Sequence, residues 1–185
     1  MSKNLKSRCF AGLVYPESAD IEVVKQLLID SHLSFCVSPL HDRDCDSDGV
    51  VKKAHYHVCV LWDGPTTVSV ASSVFESVGL VGCIACRSIK GYLRYLTHMD
   101  DKDKFQYDRD DVFVYGVDYD TLVRSESDDV AMLKDIYRYI VDNGIVNYSD
   151  FILSIMSDHD DWFTLASTSF RENIYRFIWA FAHKA

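Results

Sequence analysis

The hydrophobic positions in the first two thirds of the chain form short blocks that alternate with segments of helical periodicity. Apolar blocks of about four to eight residues bounded by Gly, Pro or Asp are typical of buried β-strands, whereas apolar residues three and four positions apart predict amphipathic helices. The blocks predict strands over residues 9–15, 33–40, 55–62, 81–85 and 113–117, and the periodic segments predict helices over 21–28, 68–78 and 89–98. This order predicts an α+β fold with a largely antiparallel sheet and helices on one face.

The pattern changes after residue 123, where the strand-like blocks stop. The polar stretch 124–129 is interpreted as a linker, and three helical stripes follow it. The first stripe ends at Asn143-Gly144, the second spans 149–156, and the third lies within 174–181. The sequence therefore predicts two domains, a mixed domain over residues 1–123 and a small all-α domain over residues 124–185.

Composition narrows the class of protein. A chain of 185 residues that is 48% hydrophobic can bury a sizeable core. It has no apolar run long enough to cross a membrane and no apolar signal region, so we expect a cytoplasmic protein with no membrane partner. The net charge of −9 is spread over both halves and excludes a broadly basic nucleic-acid-binding surface. Any DNA binding must therefore depend on a local patch or a bound metal ion.

The six cysteines lie in the first half of the chain without the spacing of a disulfide framework. This arrangement indicates free thiols in a reducing compartment. Cys83-x-x-Cys86 is a single pair with no second pair beside it, so it is only a weak indication of a zinc site.

Two histidines occupy alternate positions of the third predicted strand. Because successive strand side chains point to opposite faces, His55 and His57 share one face while Tyr56 and Val58 point into the core. Two imidazoles so placed can bind one metal ion. The same pattern is also typical of two exposed polar positions.

The segment His41-Asp42-Arg43-Asp44 adds donors to this pair. It follows the preceding predicted strand, so a short connection brings it beside the histidines. His41 and Asp44 can supply a nitrogen and an oxygen, and such a mixed set suits manganese, magnesium or zinc with positions left open for substrate oxygens. The later acidic residues of this loop are better explained as a solvated turn.

Two tyrosines lie one turn apart on the predicted helix 89–98. Tyr92 and Tyr95 share a face, while Leu93 and Leu96 lie on the adjoining face and can pack on the sheet. A tyrosine hydroxyl with a pKa of about 10 is a poor nucleophile. It becomes effective when a cation stabilises the phenolate and polarises the phosphate under attack. Without the histidines, two such tyrosines are more typical of helix packing.

Four segments in a fixed order carry a resemblance to a known family. They are residues 15–18 (YPES), 38–44 (SPLHDRD), 52–58 (KKAHYHV) and 95–98 (YLTH). Over about residues 8–110 the chain resembles the rolling-circle replication initiators of small bacterial plasmids, the RepB type within the HUH endonucleases. The resemblance implies a ferredoxin-like, RRM-like nuclease domain with the metal histidines on a central strand.

The resemblance also implies a mechanism. The family binds manganese, or alternatively another divalent ion such as magnesium or zinc, with residues matching His41, Asp44, His55 and His57. A tyrosine matching Tyr95 attacks a phosphodiester at the plasmid origin, becomes joined to the 5′ phosphate and leaves a 3′ hydroxyl that primes synthesis. Strand transfer then closes the displaced circle. The implied partners are origin DNA, single-stranded or extruded as a hairpin at the nick site with duplex nearby, and host replication proteins.

Further residues are assigned by their type and position. The candidates for contacts with DNA phosphates are Lys52, Lys53, Arg87, Lys90 and Arg94. Tyr92 is either a second nucleophile or a residue that positions Tyr95, and His98 belongs to the last motif without an assigned role. The aromatic-rich C-terminal helices predict a homo-oligomer, as in the family.

Three alternatives stay open on the sequence alone. One is another HUH enzyme, either a relaxase or a transposase, which the motif context favours less. Another is a non-catalytic origin-binding or regulatory protein, against which the intact histidine pair and Tyr95 argue. The third is a metal-dependent hydrolase of small phosphoesters, which the acidic net charge would suit.

Overall fold

The computed structural model describes residues 5–184, and the chain divides into two units at the boundary between Val123 and Arg124. The elements of the first unit are β1 (Lys6–Val14), α1 (Ile21–Asp30), β2 (Ser34–Val37), β3 (Tyr56–Thr67), α2 (Val68–Ser77), β4 (Val81–Ala85), α3 (Ile89–Tyr95), β5 (Phe113–Tyr115) and α4 (Tyr119–Val123). The α+β class predicted from the hydrophobic pattern is confirmed.

The five strands form one open antiparallel sheet in the order β4-β1-β3-β2-β5. The central pair is long, since β1 and β3 run together from Val14 opposite Tyr56 to Lys6 opposite Thr67, with one irregularity between Ser7 and Cys9. The ferredoxin-like, antiparallel arrangement expected for the first unit is therefore present. Strand β3, which contains His57 and directly follows His55, lies in the middle of the sheet.

Helices cover both faces of the sheet, so the expectation of helices on one face is wrong. Val58 and Val60 of β3 pack with α1 and α2, whereas Cys59 between them packs with Leu93 and Leu96 around α3 and with α4. A strand buried on both faces needs a continuous apolar run instead of an alternating one. Residues 58–62 have such a run. Helix α4 is only five residues long and left no periodic pattern to predict it.

The second unit contains helices α5 (Glu126–Asp142), α6 (Tyr148–Ile155), α7 (Asp160–Ser167) and α8 (Arg171–Ala182). Its core consists of buried side chains from all four helices, among them Ile136, Phe151, Ala166 and Ile174. The linker predicted over 124–129 is largely helical, because Ser125 caps α5 in a capping box with Asp128. Helix α7 was not predicted. None of the helices within residues 5–184 is long and apolar enough to span a bilayer.

Candidate functional site

Backbone hydrogen bonds bring two of the sequence motifs together at the start of β3. His41 lies opposite His55 in an isolated bridge, in which the His41 N–H donates to the His55 carbonyl at 2.9 Å and the His55 N–H donates back at 3.3 Å. Ser38 makes a second pair of bonds, since its N–H donates to the His57 carbonyl and its hydroxyl accepts from the His57 N–H, each at 2.9 Å. The relative positions of the three histidines are therefore set by main chain.

The imidazoles of His55 and His57 point at each other. Their Nε2 atoms lie 3.2 Å apart, and the two residues are only 7% and 8% exposed. His55 Nδ1 donates to the Lys53 carbonyl at 2.7 Å, and His57 Nδ1 lies 3.1 Å from the Tyr92 hydroxyl. The His55 Nδ1 proton is therefore engaged, which leaves the His55 Nε2 lone pair facing His57 Nε2. When the Tyr92 oxygen accepts from His57 Nδ1–H, both Nε2 atoms present lone pairs that a cation can bind. Burial, together with nearby His41 and His55, lowers the pKa of His57 to about 3, so its imidazole is neutral near pH 7.

A second set of acceptor atoms converges beside the first. His41 Nε2 donates to the Leu96 carbonyl at 2.9 Å, which leaves its Nδ1 lone pair 3.3 Å from Asp44 Oδ2. His98 Nδ1 donates to the Phe105 carbonyl at 2.8 Å, and its Nε2 lies 3.6 Å from the same carboxylate oxygen. His98 Nε2 is a buried atom without a hydrogen-bond partner within residues 5–184. An orphaned buried nitrogen next to a carboxylate is the arrangement that a metal ion satisfies.

These donors fit a divalent metal ion. His41, His55 and His57 each offer an atom within 4.8 Å of the others, and so do His41, Asp44 and His98. Two nitrogens bound to one zinc ion at about 2.1 Å in tetrahedral geometry lie about 3.4 Å apart, which is close to the separation in the His55–His57 pair. A buried set of nitrogens and one carboxylate suits manganese or zinc, and His41 belongs to both groups.

Tyr107 holds the carboxylate of Asp44 in place. Its hydroxyl donates to Asp44 Oδ1 at 3.0 Å and accepts from the Arg43 N–H at 3.1 Å, and its ring stacks on His41 with centroids 4.1 Å apart. Burial alone would raise the pKa of Asp44, but His41, His98 and the Tyr107 hydrogen bond lower it more, so the net pKa is below its usual range. This role of Tyr107 could not be predicted from the sequence, because Tyr107 lies in a charged loop without periodicity.

The two tyrosines of α3 have different surroundings. Ser88 caps the helix by accepting from the Gly91 N–H. Tyr92 is hydrogen-bonded to His57, and burial raises its pKa far above the ordinary value. Tyr95 is half-buried, with its ring centroid 5.2 Å from those of both His57 and His98. Tyr95 therefore lies against the histidine cluster, whereas the hydroxyl of Tyr92 is engaged with His57 Nδ1.

Lys104 lies on the other side of Tyr95. Its Nζ atom is 4.7 Å from the centre of the Tyr95 ring and 3.3 Å from Asp101 Oδ2. Its side chain reaches the tyrosine from the loop after α3, which is rich in charged residues. No spacing rule connects Lys104 to Tyr95, because the loop between them is irregular.

The five basic residues predicted to contact DNA fall into two groups. Lys52 and Arg87 are exposed, and Lys90 is half-exposed. Lys53 is exposed too, although it pairs with Glu17 and lies over the Tyr15 ring. Arg94 is different, because its guanidinium holds Asp100 through bonds of 2.6–3.0 Å and donates to the Val123 carbonyl at 2.8 Å, with only 16% of the side chain exposed. These contacts favour a bracing role for Arg94, in which it links α3 to Asp100 and Val123, over phosphate binding.

An apolar pocket opens beside Tyr95. Its volume is about 640 Å³, and its walls come from β1, β4 and α3. Its lining residues include Gly82, Arg87, Tyr92 and Tyr95. A pocket of this kind can receive a flat unpaired group while a nearby cation holds an adjoining anion.

Comparisons with known proteins are consistent with this arrangement. Residues 2–120 match a family described as plasmid replication protein, origin binding domain. The chain is 37% identical over 166 residues to a replication protein of Staphylococcus aureus, which covers 88% of this chain and 83% of that protein. It is 34% identical over 164 residues to the replication protein RepB of Lactiplantibacillus plantarum, covering 86% and 74% respectively.

Proposed function

Because the chain belongs to the family of plasmid replication proteins that carry an origin-binding domain, we propose that it nicks one strand of its origin with Tyr95 as nucleophile. The observation that carries this proposal is the position of Tyr95, whose ring lies 5.2 Å from those of His57 and His98. A tyrosine against a cluster of buried metal donors is the arrangement that covalent attack on a phosphodiester requires.

The donor cluster would hold the divalent ion, with manganese as the first candidate and magnesium or zinc as alternatives. We assign His41, Asp44, His55 and His57 as its ligands and add His98 to them. A bound ion would stabilise the negative charge that develops on the scissile phosphate. The chain contributes the orientation of the ligands, since Tyr92 and Tyr107 fix the His57 ring and the Asp44 carboxylate.

In the proposed step the Tyr95 hydroxyl loses its proton and its oxygen attacks the phosphorus. A phosphorus–oxygen bond to Tyr95 forms as the bond to the 3′ oxygen breaks, and the departing oxygen takes up a proton to give a 3′ hydroxyl. Lys104 stabilises the phenolate through its charge. The bond energy is kept in the 5′-phosphotyrosyl link, so a 3′ hydroxyl can later reverse the step and rejoin strands. Host replication proteins in the cytoplasm would extend the new 3′ end.

Single-stranded origin DNA, either free or in an extruded hairpin, is the proposed substrate, with the neighbouring duplex held nearby. An unpaired base fits the apolar pocket beside Tyr95, and Arg87 at its rim would pair with an adjoining phosphate. Lys52, Lys53 and Lys90 are the further cations that duplex or strand phosphates would contact. Local contacts of this kind suit a chain whose net charge is −9.

The second unit is proposed to join copies of the protein. On α8, Tyr175 and Trp179 lie one turn apart and are 50% and 58% exposed, and Phe163 of α7 is exposed as well. Aromatic side chains exposed at this density are typical of protein interfaces. Light scattering on wild type and Trp179→Glu tests the assignment: the wild type should be an oligomer and the variant smaller.

The nicking assay uses supercoiled origin DNA, the full chain and Mn²⁺, and it measures open circles and protein covalently joined to a 5′ end. Wild type should give both products, EDTA should abolish them, and Tyr95→Phe should form no covalent product. Tyr92→Phe is the matched control, because it removes the neighbouring hydroxyl of the same helix and should keep a measurable rate. Undiminished nicking by Tyr95→Phe would refute the proposal, and origin binding without any nicking would indicate the non-catalytic alternative.

A further inference from the structure

Three cysteines from three adjacent strands meet beneath α3. Cys9 belongs to β1, Cys59 to β3, and Cys86 directly follows β4. The Cys9 and Cys59 sulfurs are 3.1 Å apart, and all three sulfurs lie within 4.8 Å of one another. The Cys86 N–H donates to the Cys9 carbonyl at 2.9 Å, so main chain also fixes the third residue to the other two.

The register of the sheet explains why the first two thiols converge. Cys59 pairs with Ala11 and Cys9 pairs with Leu61, so the two cysteines are diagonal neighbours whose side chains share one face. Both are fully buried against Leu93 and Leu96. They are distant in the sequence from Cys86, and no local spacing connects the three.

The size of the cluster matches a thiolate metal site. Sulfurs that bind one zinc ion at about 2.3 Å in tetrahedral geometry lie about 3.8 Å apart, and the separations in the cluster range around that value, from 3.1 Å to at most 4.8 Å. We propose that Cys9, Cys59 and Cys86 form a structural site for one thiophilic cation, Cu⁺ or Zn²⁺, separate from the histidine cluster. Thiolates favour these two ions over manganese or magnesium.

Access from solvent supports the same site. Cys86 is half-exposed in the wall of the 640 Å³ pocket, which gives an ion and a solvent ligand a path to otherwise buried sulfurs. Cys83 is not part of this group, although the Cys83-x-x-Cys86 spacing pairs it with Cys86 in the sequence. In the proposed site the partners of Cys86 are Cys9 and Cys59.

A bound ion would join β4, β1 and β3 at a position two residues before the Ser88 cap of α3. The site would therefore stabilise the base of the helix that carries Tyr92 and Tyr95. The effect is on folding, so it is measurable without DNA and independent of nicking.

The test uses the full reduced chain, prepared without oxygen or metal and titrated with Zn²⁺ or Cu⁺ alone. X-ray absorption at the metal edge should show three sulfur ligands for at least one of the ions. The melting temperature of the protein should rise when that ion is bound. Loading of the His55→Ala/His57→Ala double variant should give the same sulfur coordination, which distinguishes this site from the histidine cluster. The ion that gives the sulfur coordination identifies the native metal class.

Cys86→Ser should weaken binding by more than about 100-fold, because even the loss of a residue that merely hydrogen-bonds to a ligand costs about 10–100-fold. Cys83→Ser is the matched control and should bind as wild type does. If circular dichroism shows that Cys86→Ser does not fold, Cys9→Ala is a second variant that removes one of the three thiols. Coordination without sulfur, equal binding by Cys86→Ser, or a Cys9–Cys59 disulfide with no metal uptake would each overturn the proposal.

Discussion

The Nζ atom of Lys104 lies 4.7 Å from the centre of the Tyr95 ring, close enough for a cation–π contact. Burial lowers the pKa of Lys104, but Tyr95 and Asp101 raise it more, so the net pKa is above the ordinary value. Lys104 therefore keeps its proton across the pH range in which a tyrosine nucleophile must lose one. Its charge lies beside the Tyr95 ring, where the phenolate of the proposed step would develop.

Lys104→Met should slow nicking by about tenfold, less than the roughly 10²–10³ that a fully buried donor contributes to a transition state, because Lys104 is partly exposed. The rate is measured on a single-stranded origin oligonucleotide across pH, and the variant should need a higher pH to reach its maximum. Lys102→Met changes the same charge in the same loop and should be neutral. Equal slowing by both variants would show that only the overall charge of the loop matters.

His98→Asn should weaken metal binding by at least about tenfold, because it removes the buried Nε2 atom beside Asp44. Asparagine suits this test since His98 has a φ of 58°, in the left-handed region that asparagine tolerates. His32, with a φ of 55°, is exposed and provides the control His32→Asn. Calorimetric titration with Mn²⁺ gives the affinities, and unchanged affinity in His98→Asn would exclude His98 as a ligand.

Arg87 and Arg94 should respond oppositely when each is replaced by methionine. Arg87→Met should reduce the slope of log affinity against log salt by about 0.7–0.9 for single-stranded or duplex origin DNA, without changing stability. Arg94→Met should leave that slope unchanged and cost about 1–2 kcal/mol of unfolding free energy, because the Val123 carbonyl loses a charged donor. Fluorescence anisotropy at several salt concentrations and urea unfolding measure the two effects. A reduced salt slope in Arg94→Met would contradict its bracing role.

Tyr119 should make the first unit sensitive to alkali. Its hydroxyl donates to the Leu93 carbonyl at 3.0 Å, and burial raises its pKa to about 12. An unfolded tyrosine loses its proton near pH 10, so above that pH the unfolded state binds fewer protons than the folded state. Stability should then fall by up to about 1.4 kcal/mol per pH unit until about pH 12.

Tyr119→Phe should remove the contribution of this hydroxyl to the alkaline loss of stability. At neutral pH it should lower the free energy of unfolding by about 1 kcal/mol, because one hydrogen bond is lost. Urea unfolding at pH 8, 10 and 11 measures both effects. Tyr115→Phe, on the exposed edge strand β5, is the control. If the alkaline slope of Tyr119→Phe matched that of wild type, the buried hydroxyl would not be its source.

Local patterns were enough to predict the strands and helices that frame the site. The alternation at His55-Tyr56-His57 and the helical spacing of Leu93 and Leu96 depend on the geometry of single elements. Tyr56 packs in the core and the two leucines pack on the sheet, as those patterns predicted. The pattern could not predict that helices cover both sides of the sheet, because an uninterrupted apolar strand does not specify what packs on it.

The parts of the site that escaped prediction come from loops and from long-range pairing. His98, Lys104 and Tyr107 follow α3 in a segment with no periodicity. His98 bonds to the Phe105 carbonyl, whereas Tyr107 donates to the Asp44 carboxylate and Lys104 pairs with the Asp101 carboxylate. The thiol cluster needs the register of three strands at once. Arg94 was predicted to contact DNA from its charge and helical spacing, and this stays a prediction. Its pairing with Asp100 could not be predicted, because Asp100 lies beyond the end of the helix.

The loop between the histidine motifs is closed at its base. Besides the His41–His55 bridge, Cys45 is bridged to Val51, and the Lys52 N–H donates to the Asp44 carbonyl at 2.7 Å. The tip, residues 46–50, is exposed. The distance between the histidines is thus independent of the length of the tip. An epitope or a fluorescent label inserted at the tip should therefore leave the His41–His55 bridge intact.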